Sequence, residues 1–365
     1  MSFGARAEIR LGALEHNFNV LKNAVPDVKV MAAVKANAYG HGLVTVSRAL
    51  ADADAFAVAR LIEAQKLREA GIETSIVLMG GVINREEFAL AAANQCALVV
   101  HTESQVGIIE AASEPVSRVW LKVDTGMNRL GVRPEDAPAL IARIRDAAPE
   151  SKLGLMTHLA NSDEISDPMS KIQFERFYKL ARNFDGDISI ANSAALLGLQ
   201  ENLDSPGLWT NSGQRWIRPG ISLYGISPIV GKSAAELNLQ AVMQFEATLI
   251  AVKPIRKGER VGYGGCWLAE RDSVLGIIGA GYADGYSRFL PSGTPVLLNG
   301  RRVPLAGVIS MDMCVVDLGP QARDQVGDTV TLWGDGLPVE EIANYANATA
   351  YPFVCGVSDR AGRLI

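Results

Sequence analysis

The chain has little cysteine and no long apolar run. Its four cysteines, Cys96, Cys266, Cys314 and Cys355, lack the close spacing of a metal site, which predicts free thiols in a reducing compartment and no bound metal. No apolar segment at the start resembles a signal peptide, and no later stretch approaches membrane-spanning length. These absences predict a cytoplasmic protein without a membrane partner.

Positive charge is also scarce. The sequence has 35 Lys and Arg against 40 Asp and Glu, a net charge of −5. Because nucleic-acid binding needs clustered Lys and Arg, we expect a small-molecule substrate and no nucleic-acid partner. With 365 residues, 48% of them hydrophobic, the chain has enough apolar surface for two domains or for a large barrel with an appendage.

Short apolar runs alternate with helix-like segments through the first two thirds of the chain. The eight runs cover residues 28–35, 54–60, 75–80, 96–101, 119–124, 153–158, 187–192 and 216–222. This alternation predicts an α/β fold whose N-terminal domain, over residues 8–230, is a (β/α)₈ TIM-type barrel.

Beyond about residue 230 the pattern changes to that of strands. Apolar and polar residues alternate from Phe245 to Leu249, and Asn299-Gly300 separates VLL from RRV as in a tight hairpin. We therefore predict a mostly β C-terminal domain over residues 237–365, to which residues 1–7 add a strand.

The run VKANAYGHG at 34–42 places Lys35 where an apolar strand ends. An ammonium group at such a position is unfavourable unless it is paired or deprotonated, and a desolvated lysine can form a Schiff base. The alternative is a lysine in an ion pair at the barrel rim. Its neighbours Asn37, Tyr39 and His41, with two glycines, favour a functional loop.

Other polar segments also lie where predicted barrel strands end. They are KVDTGMNRLG (122–131), Thr157-His158, Asn192-Ser193 and Arg218-Pro219-Gly220. Barrel enzymes build their active sites at these ends, and the loops after strands seven and eight often bind phosphate. Ser193, Gly220 and Ile221, with Tyr39 from the first loop, suit a phosphate site, although a helix cap and a turn glycine are the alternative.

Several motifs together resemble the alanine racemase family. VKANAYGHG, KVDTGMNRLG, THLANSD, ANSAA, RPGISLYG, VGYG, GYADGY and SMDMC occur in order over nearly the whole chain. The resemblance implies an isomerase (EC 5.1.1.1) that depends on pyridoxal 5′-phosphate and interconverts L- and D-alanine. It also implies a homodimer with shared active sites. In bacteria such an enzyme supplies D-alanine for peptidoglycan synthesis.

The resemblance assigns a role to each site residue. Lys35 would hold the cofactor and act as one base, and Tyr263 from the partner subunit would be the other. The further implied roles are Arg218 at the pyridine nitrogen, His158 beside the ring, Tyr39, Ser193, Gly220, Ile221 and Tyr351 around the phosphate, Arg129 and Met311 at the substrate carboxylate, and Tyr282 at the entrance. Lys122 matches a position that is carbamylated in some members; the alternative is a lysine paired with Asp124.

Two of these roles have a chemical rationale. A permanent charge on Arg218 would keep the ring nitrogen unprotonated, which restrains transamination but permits proton exchange at Cα. Racemisation needs acid/base groups on both faces of the substrate, and a phenol with a reference pKa of about 10 is a weak base at neutral pH. We therefore expect a cation beside Tyr263.

The sequence departs from the family at Asp359, where some members have a tyrosine that narrows the site. A carboxylate pointing inward there would add negative charge near the cofactor, so substrate scope is the open point. A broad-specificity amino-acid racemase is the nearest rival. A decarboxylase of the same plan would have a carboxylate where Arg218 stands, and a non-catalytic pyridoxal-phosphate carrier would not need Tyr263.

Overall fold

The computed structural model of the protein describes residues 4–25, 27–203 and 213–365. They form two units. One unit comprises Leu14–Ala38 and Gly42–Leu239, and the other comprises the chain up to Ala13, Tyr39–His41 and Gln240–Ile365. Three residues of the loop after the first barrel strand thus belong to the C-terminal unit. No described helix combines the length and the apolar character needed to cross a membrane.

Eight parallel strands close into a barrel in the first unit, which confirms the predicted barrel. After a first strand, β1 (Arg6–Ile9), the barrel strands are β2 (Val28–Ala33), β3 (Ala55–Val58), β4 (Ser75–Leu78), β5 (Cys96–Val100), β6 (Arg118–Lys122), β7 (Lys152–Met156), β8 (Asp187–Asn192) and β9 (Arg215–Arg218). Every residue of β3 and β5 is buried. Such continuous apolar runs suit parallel strands that are covered on both faces.

One helix precedes the barrel strands and the others follow them. Their bounds are Leu11–Asn23, Leu43–Ala49, Leu61–Glu69, Arg85–Ala93, Glu103–Glu110, Ala137–Ala147, Met169–Ala181, Ser193–Gly198 and Gln200–Leu203, with 3₁₀ turns at Ile221–Tyr224 and Ala235–Leu237. The sequence marks some of their starts: the Asn84 side chain accepts a hydrogen bond from the Glu87 amide at 2.8 Å. Such a cap satisfies a backbone donor that has no partner within the helix.

The C-terminal unit is mostly β, as predicted. Its strands are β10 (Met243–Ile255), β11 (Arg260–Val261), β12 (Trp267–Leu268), β13 (Ser273–Ile278), β14 (Pro295–Leu298), β15 (Arg301–Pro304), β16 (Cys314–Asp317), β17 (Thr329–Trp333) and β18 (Gly362–Leu364). The main sheet has the order β15-β14-β17-β10-β1-β18, and β13 pairs with β10 and β16. Short helices at Val339–Tyr345 and Tyr351–Cys355 and 3₁₀ turns at Tyr263–Gly265 and Tyr282–Asp284 complete the unit.

Strand β1 is antiparallel to β10 and parallel to β18. Arg6 on β1 forms an ion pair with Glu246 on β10 at 2.7 Å. The core beside these strands is aromatic: the rings of Phe245 and Trp333 lie 4.4 Å apart, and Tyr286 is 6.2 Å from Trp333. The start of the chain is therefore part of the C-terminal sheet.

Candidate active site

Lys35 opens a left-handed turn that follows strand β2. Ala36, Asn37, Ala38 and Tyr39 all have positive φ angles between 52° and 54°. This conformation costs an L-residue about 1–2 kcal/mol. Backbone strain of this kind persists only where surrounding contacts enforce it, and it is concentrated at functional sites.

Hydrogen bonds from both sides hold this turn. The Asn37 side chain accepts from the amide of Leu43 at 2.8 Å, and the Asn37 carbonyl accepts from Gly42 at 2.9 Å. The Ala36 amide donates to the Glu63 carboxylate at 2.6 Å. The backbone that carries Lys35 is therefore fixed by the helices that follow β2 and β3.

Positive charges surround the barrel residue His158. Burial is the main reason that the pKa of His158 lies well below its ordinary value, and nearby cations lower it further. These cations are, in decreasing order of effect, Arg218, Lys122, Arg129 and Lys35. His158 is therefore neutral at neutral pH, and the cluster would attract an anionic ligand.

Lys122 is buried in this cluster, 6% exposed. Burial foremost, and then the charges of Arg218, Arg129 and Lys35, lower its pKa to about 8, and only Asp124 opposes them. Among the described residues Lys122 forms no ion pair with Asp124; the Asp124 carboxylate instead accepts from the amides of Gly126 and Asn128 at 2.9 and 3.1 Å. The buried amine therefore has no ion-pair partner among the described residues, and Asp124 offsets its charge only in part.

This depressed pKa predicts a pH-dependent stability. Unfolding returns the pKa of Lys122 from about 8 to the ordinary 10.5, so between these values the unfolded chain binds more protons and stability rises with pH. The gain should be at most about 3 kcal/mol. In urea unfolding in buffer free of carbon dioxide, the stability of the parent should rise with pH relative to that of Lys122→Met over this range. Parallel pH dependences would contradict it.

Arg218 ends strand β9 with its guanidinium fully enclosed. It donates to the Ser189 hydroxyl at 2.6 Å and to the carbonyl of Thr157, and His158 Nδ1 lies 3.5 Å away. Burial lowers its pKa to about 10, which still leaves it charged at neutral pH. Ser189 on β8 and Thr157, which follows β7, thus hold a permanent cation next to the neutral imidazole of His158.

Ser193 and the loop after β9 form a cluster of donors. The Ser193 hydroxyl accepts from the amides of Gly220 and Ser222 at 2.8 and 3.4 Å, so its own proton is available to a ligand. The Ser222 hydroxyl is buried without a hydrogen-bond partner among the described residues. Ile221 opens a 3₁₀ turn, where the first amides have no partner within the turn. Such a set of donors fits a phosphate.

Tyr39 and Tyr351 lie together in the C-terminal unit, with ring centroids 6.1 Å apart. Burial above all, and then Tyr351 and Cys355, raise the pKa of Tyr39, so its hydroxyl remains a proton donor. Gly40 follows in close contact with the backbone of Val354, where a Cβ would lie 1.9 Å from the carbonyl oxygen. The loop therefore needs glycine at this position.

Three further predicted site residues lie at the surface of the C-terminal unit. Tyr263 is 65% exposed in a turn flanked by glycines with positive φ, and Tyr282 and Met311 are 38% and 52% exposed. The amides of Tyr282 and Ala283 donate to the carbonyls of Ser310 and Met311 at 3.1 and 3.0 Å. The Met311 amide makes no hydrogen bond within the described parts of the chain, so it is open to a ligand.

Arg288 is a neighbour of these residues that the sequence analysis missed. Its guanidinium carbon lies 5.7 Å from the ring centroid of Tyr263 and 5.8 Å from that of Tyr282. The expected cation beside Tyr263 is thus present. Arg288 lies 25 residues after Tyr263 in the chain, and no sequence pattern links the two positions. The only signal for such a residue was the expectation that a cation lies beside Tyr263.

The Asp359 side chain lies at the surface of this chain. It is 94% exposed and forms an ion pair with Arg363 at 2.7 Å. Within this chain the carboxylate is therefore solvated, and it does not add the buried negative charge that an inward orientation would bring.

The predicted site residues are divided between the two units. The barrel unit holds Lys35, Lys122, Arg129, His158, Ser193, Arg218, Gly220 and Ile221, and the C-terminal unit holds Tyr39, Tyr263, Tyr282, Met311 and Tyr351. Within the barrel unit the structure brings the cations together around His158 and places Ser193 against the loop after β9. Arg129 is exposed and forms no hydrogen bond or ion pair among the described residues.

Two family models match the chain. The alanine racemase N-terminal domain matches residues 9–228, and the alanine racemase C-terminal domain matches residues 242–365. Curated alanine racemases from Aeromonas hydrophila subsp. hydrophila and Vibrio cholerae are both 45% identical over 358 residues. That alignment covers 98% of this chain and 98% and 96% of theirs, respectively.

Solved structures agree with these matches. The biosynthetic alanine racemase of Pseudomonas aeruginosa has a TM-score of 0.92 at 41% identity, with 99% of each chain covered. The alanine racemase of Bartonella henselae, solved with covalently bound pyridoxal phosphate, has a TM-score of 0.86 at 29% identity, again with 99% of each chain covered. The chain therefore belongs to the alanine racemase family.

Proposed function

We propose that this chain interconverts L- and D-alanine with pyridoxal 5′-phosphate as its cofactor. The main supporting observation is the cluster of Lys35, Lys122, Arg129 and Arg218 around a neutral His158, which offers an amine and a permanent cation to an anionic cofactor. In a bacterium the product would serve peptidoglycan synthesis.

The barrel residues fit this cofactor. Lys35 would hold it covalently, Arg218 would face its ring nitrogen, and His158 would lie beside its ring. The buried Ser222 hydroxyl without a partner and the available Ser193 proton support a phosphate here. The groups proposed around the phosphate are Ser193, Gly220, Ile221, Tyr39 and Tyr351. Bound pyridoxal phosphate withdraws electrons from the substrate Cα and makes its proton acidic.

Two groups would move that proton. The Lys35 amine would serve one face of the substrate Cα and the Tyr263 hydroxyl the other, so that one removes a proton and the other returns one. We propose that Tyr263 belongs to the partner subunit of a homodimer. Its exposure, 65% within this chain, supports a role in another subunit's site.

The substrate carboxylate needs cationic and neutral donors. Arg129, which has no carboxylate partner among the described residues, and the open Met311 amide would bind it. Tyr282, beside this segment, would line the entrance. These groups bind the backbone of any amino acid, so the side-chain pocket must set specificity.

We also propose that Lys122 is carbamylated. Its neutral amine would attack carbon dioxide, with loss of one proton, to give an N-carboxylate. The buried position beside Arg218 and Arg129 and the lowered pKa, about 8, support this reaction. The new anion would offset the surrounding positive charge and could help to place Arg129.

A substrate profile tests the function. Purified protein should absorb visible light through its bound cofactor and lose that band with borohydride. It should racemise alanine with a much higher kcat/KM than L-serine or L-lysine, since longer side chains must fit beside Tyr263 and Tyr282. Comparable turnover of lysine would favour the broad-specificity racemase, and bound cofactor without racemisation would favour the non-catalytic carrier.

Arg218→Glu tests the cation proposed at the ring nitrogen. A carboxylate there would favour protonation of the ring nitrogen, so racemisation should fall and transamination should rise, measured as D-alanine and pyruvate formed from L-alanine. Arg218→Lys keeps the charge and should give a smaller loss without pyruvate. Normal racemisation by Arg218→Glu would refute the assignment.

A further inference from the structure

Arg288 connects the two exposed tyrosines of the C-terminal unit. Its guanidinium carbon is 5.7 Å from the ring centroid of Tyr263 and 5.8 Å from that of Tyr282. Both distances lie within the range in which a cation is attracted to the face of an aromatic ring. One charge therefore attracts two rings that lie 19 residues apart in the chain.

Arg288 also binds a third segment. Its Nη1 donates to the carbonyl of Ile309 at 2.9 Å. Ile309 is fully buried and lies two residues before Met311. The same guanidinium thus joins the Tyr263 turn and the Tyr282 turn to a rigid anchor that leads directly into the Met311 segment.

No carboxylate in the described part of the chain neutralises the charge of Arg288. Among the described residues its guanidinium forms no ion pair with a carboxylate, although its own segment includes Asp284, which instead pairs with Arg360 at 3.3 Å. Neutralisation by a carboxylate would weaken attraction to the rings. The unpaired guanidinium keeps its full interaction with both tyrosines.

We propose that Arg288 is a positioning residue for racemisation, which fixes the Tyr263 ring against Tyr282 and the Ile309–Met311 segment. This inference rests on the proposed role of Tyr263 as one of the two bases. A tyrosine that is 65% exposed within its own chain has few packing contacts there to limit its rotation. The guanidinium supplies a constraint that the glycine-rich turn lacks.

Arginine suits this task better than lysine. Its planar group can donate a hydrogen bond from one edge to the Ile309 carbonyl while it lies near aromatic rings. An ammonium group is a point charge and cannot keep this geometry at all three partners. Arg288→Lys should therefore retain only part of the effect, whereas Arg288→Met should lose it.

A misplaced Tyr263 would slow one proton transfer in particular. L- and D-alanine have equal free energies, so kcat/KM must fall equally in both directions and cannot identify the affected base. The α-deuterium isotope effect can. It should increase for the enantiomer whose proton Tyr263 removes, because that removal becomes slower than the following step. It should decrease for the other enantiomer, because removal of its α-proton by Lys35 is then followed by the slow return of a proton from Tyr263.

We expect Arg288→Met to lower kcat about tenfold to a hundredfold, the effect of a displacement of about 1 Å, with isotope effects that change in opposite directions. Arg288→Lys should give a smaller loss and the same pattern. Each isotope effect is measured on kcat/KM with substrate deuterated at Cα.

Arg145 offers a matched control. Its guanidinium carbon lies 5.6 Å from the ring centroid of Phe184 and its Nη2 donates to the Asp185 carbonyl at 3.1 Å, in the barrel unit. Arg145→Met removes the same two kinds of contact and should leave both isotope effects unchanged. Loss of activity in Arg288→Met with unchanged or equally altered isotope effects would overturn the positioning role. If the parent protein fails to racemise alanine, the proposed function fails first.

Discussion

Replacing Lys35 by alanine should abolish racemisation and release the covalently held cofactor. Lys35 begins the strained turn after β2, within the group of cations that surrounds His158. Removal of its amine takes away both the proposed cofactor attachment and one of the two proposed bases, so the loss should exceed about 10³-fold. Activity is measured by optical rotation, and attachment by mass spectrometry after borohydride.

Lys29 provides the control for this variant. It lies on the same strand, and its amine forms a partly exposed ion pair with Asp54 at 3.2 Å. Such pairs contribute about 1 kcal/mol or less, so Lys29→Ala should keep both activity and cofactor. A Lys35→Ala protein that still carries a borohydride-stable adduct would show that another amine holds the cofactor.

The barrel was predictable because each of its strands leaves a local mark. Runs such as Cys96–Val100 are apolar at every position, and they recur between segments with helix signals. These runs end in the polar residues Lys35, His158 and Arg218. A barrel without an active site does not require polar residues at these positions. Parallel strands that close into a barrel bring these ends to one side. The cluster around His158 follows from that topology.

The left-handed turn could not be predicted. Ala36, Asn37, Ala38 and Tyr39 have no glycine among them, and alanine and tyrosine rarely adopt positive φ. The turn exists because the contacts of Asn37, Gly42 and Glu63 outweigh the local preference of each residue. Such individual hydrogen bonds, one of them to Glu63 in a later helix, leave no periodic mark in the sequence, so this strain is visible only in the folded chain.

The same limit applies to charges. The sequence left a pair between Lys122 and Asp124, two residues apart, as the alternative to carbamylation, but this spacing alone does not bring the charged groups together. In the structure Asp124 caps its own loop through Gly126 and Asn128. Arg288 was missed for a related reason, because its partners lie on three separate segments. Pairing of side chains depends on orientation, which residue spacing alone does not give.

Mixing two inactive variants should restore activity if Tyr263 acts in the partner's site. In a heterodimer of Lys35→Ala and Tyr263→Ala chains, one site combines an intact Lys35 with an intact Tyr263, and the other lacks both. Unfolding the two variants together and refolding them gives random pairing, so about one quarter of the parent activity should return for a two-fold symmetric dimer. Each variant refolded alone should stay inactive.

The control for this recovery is a mixture of Lys35→Ala with Arg218→Glu. Both changes lie in the barrel unit, so each site of the heterodimer lacks either Lys35 or Arg218 and no complete site forms. This mixture should show no activity beyond the residual racemisation of Arg218→Glu itself, although it forms heterodimers equally well, as native mass spectrometry can verify. Recovery only in the Tyr263 mixture would assign the two bases to different subunits. Failure in a mixture with verified heterodimers would place both bases in one chain, or exclude Tyr263 as the second base.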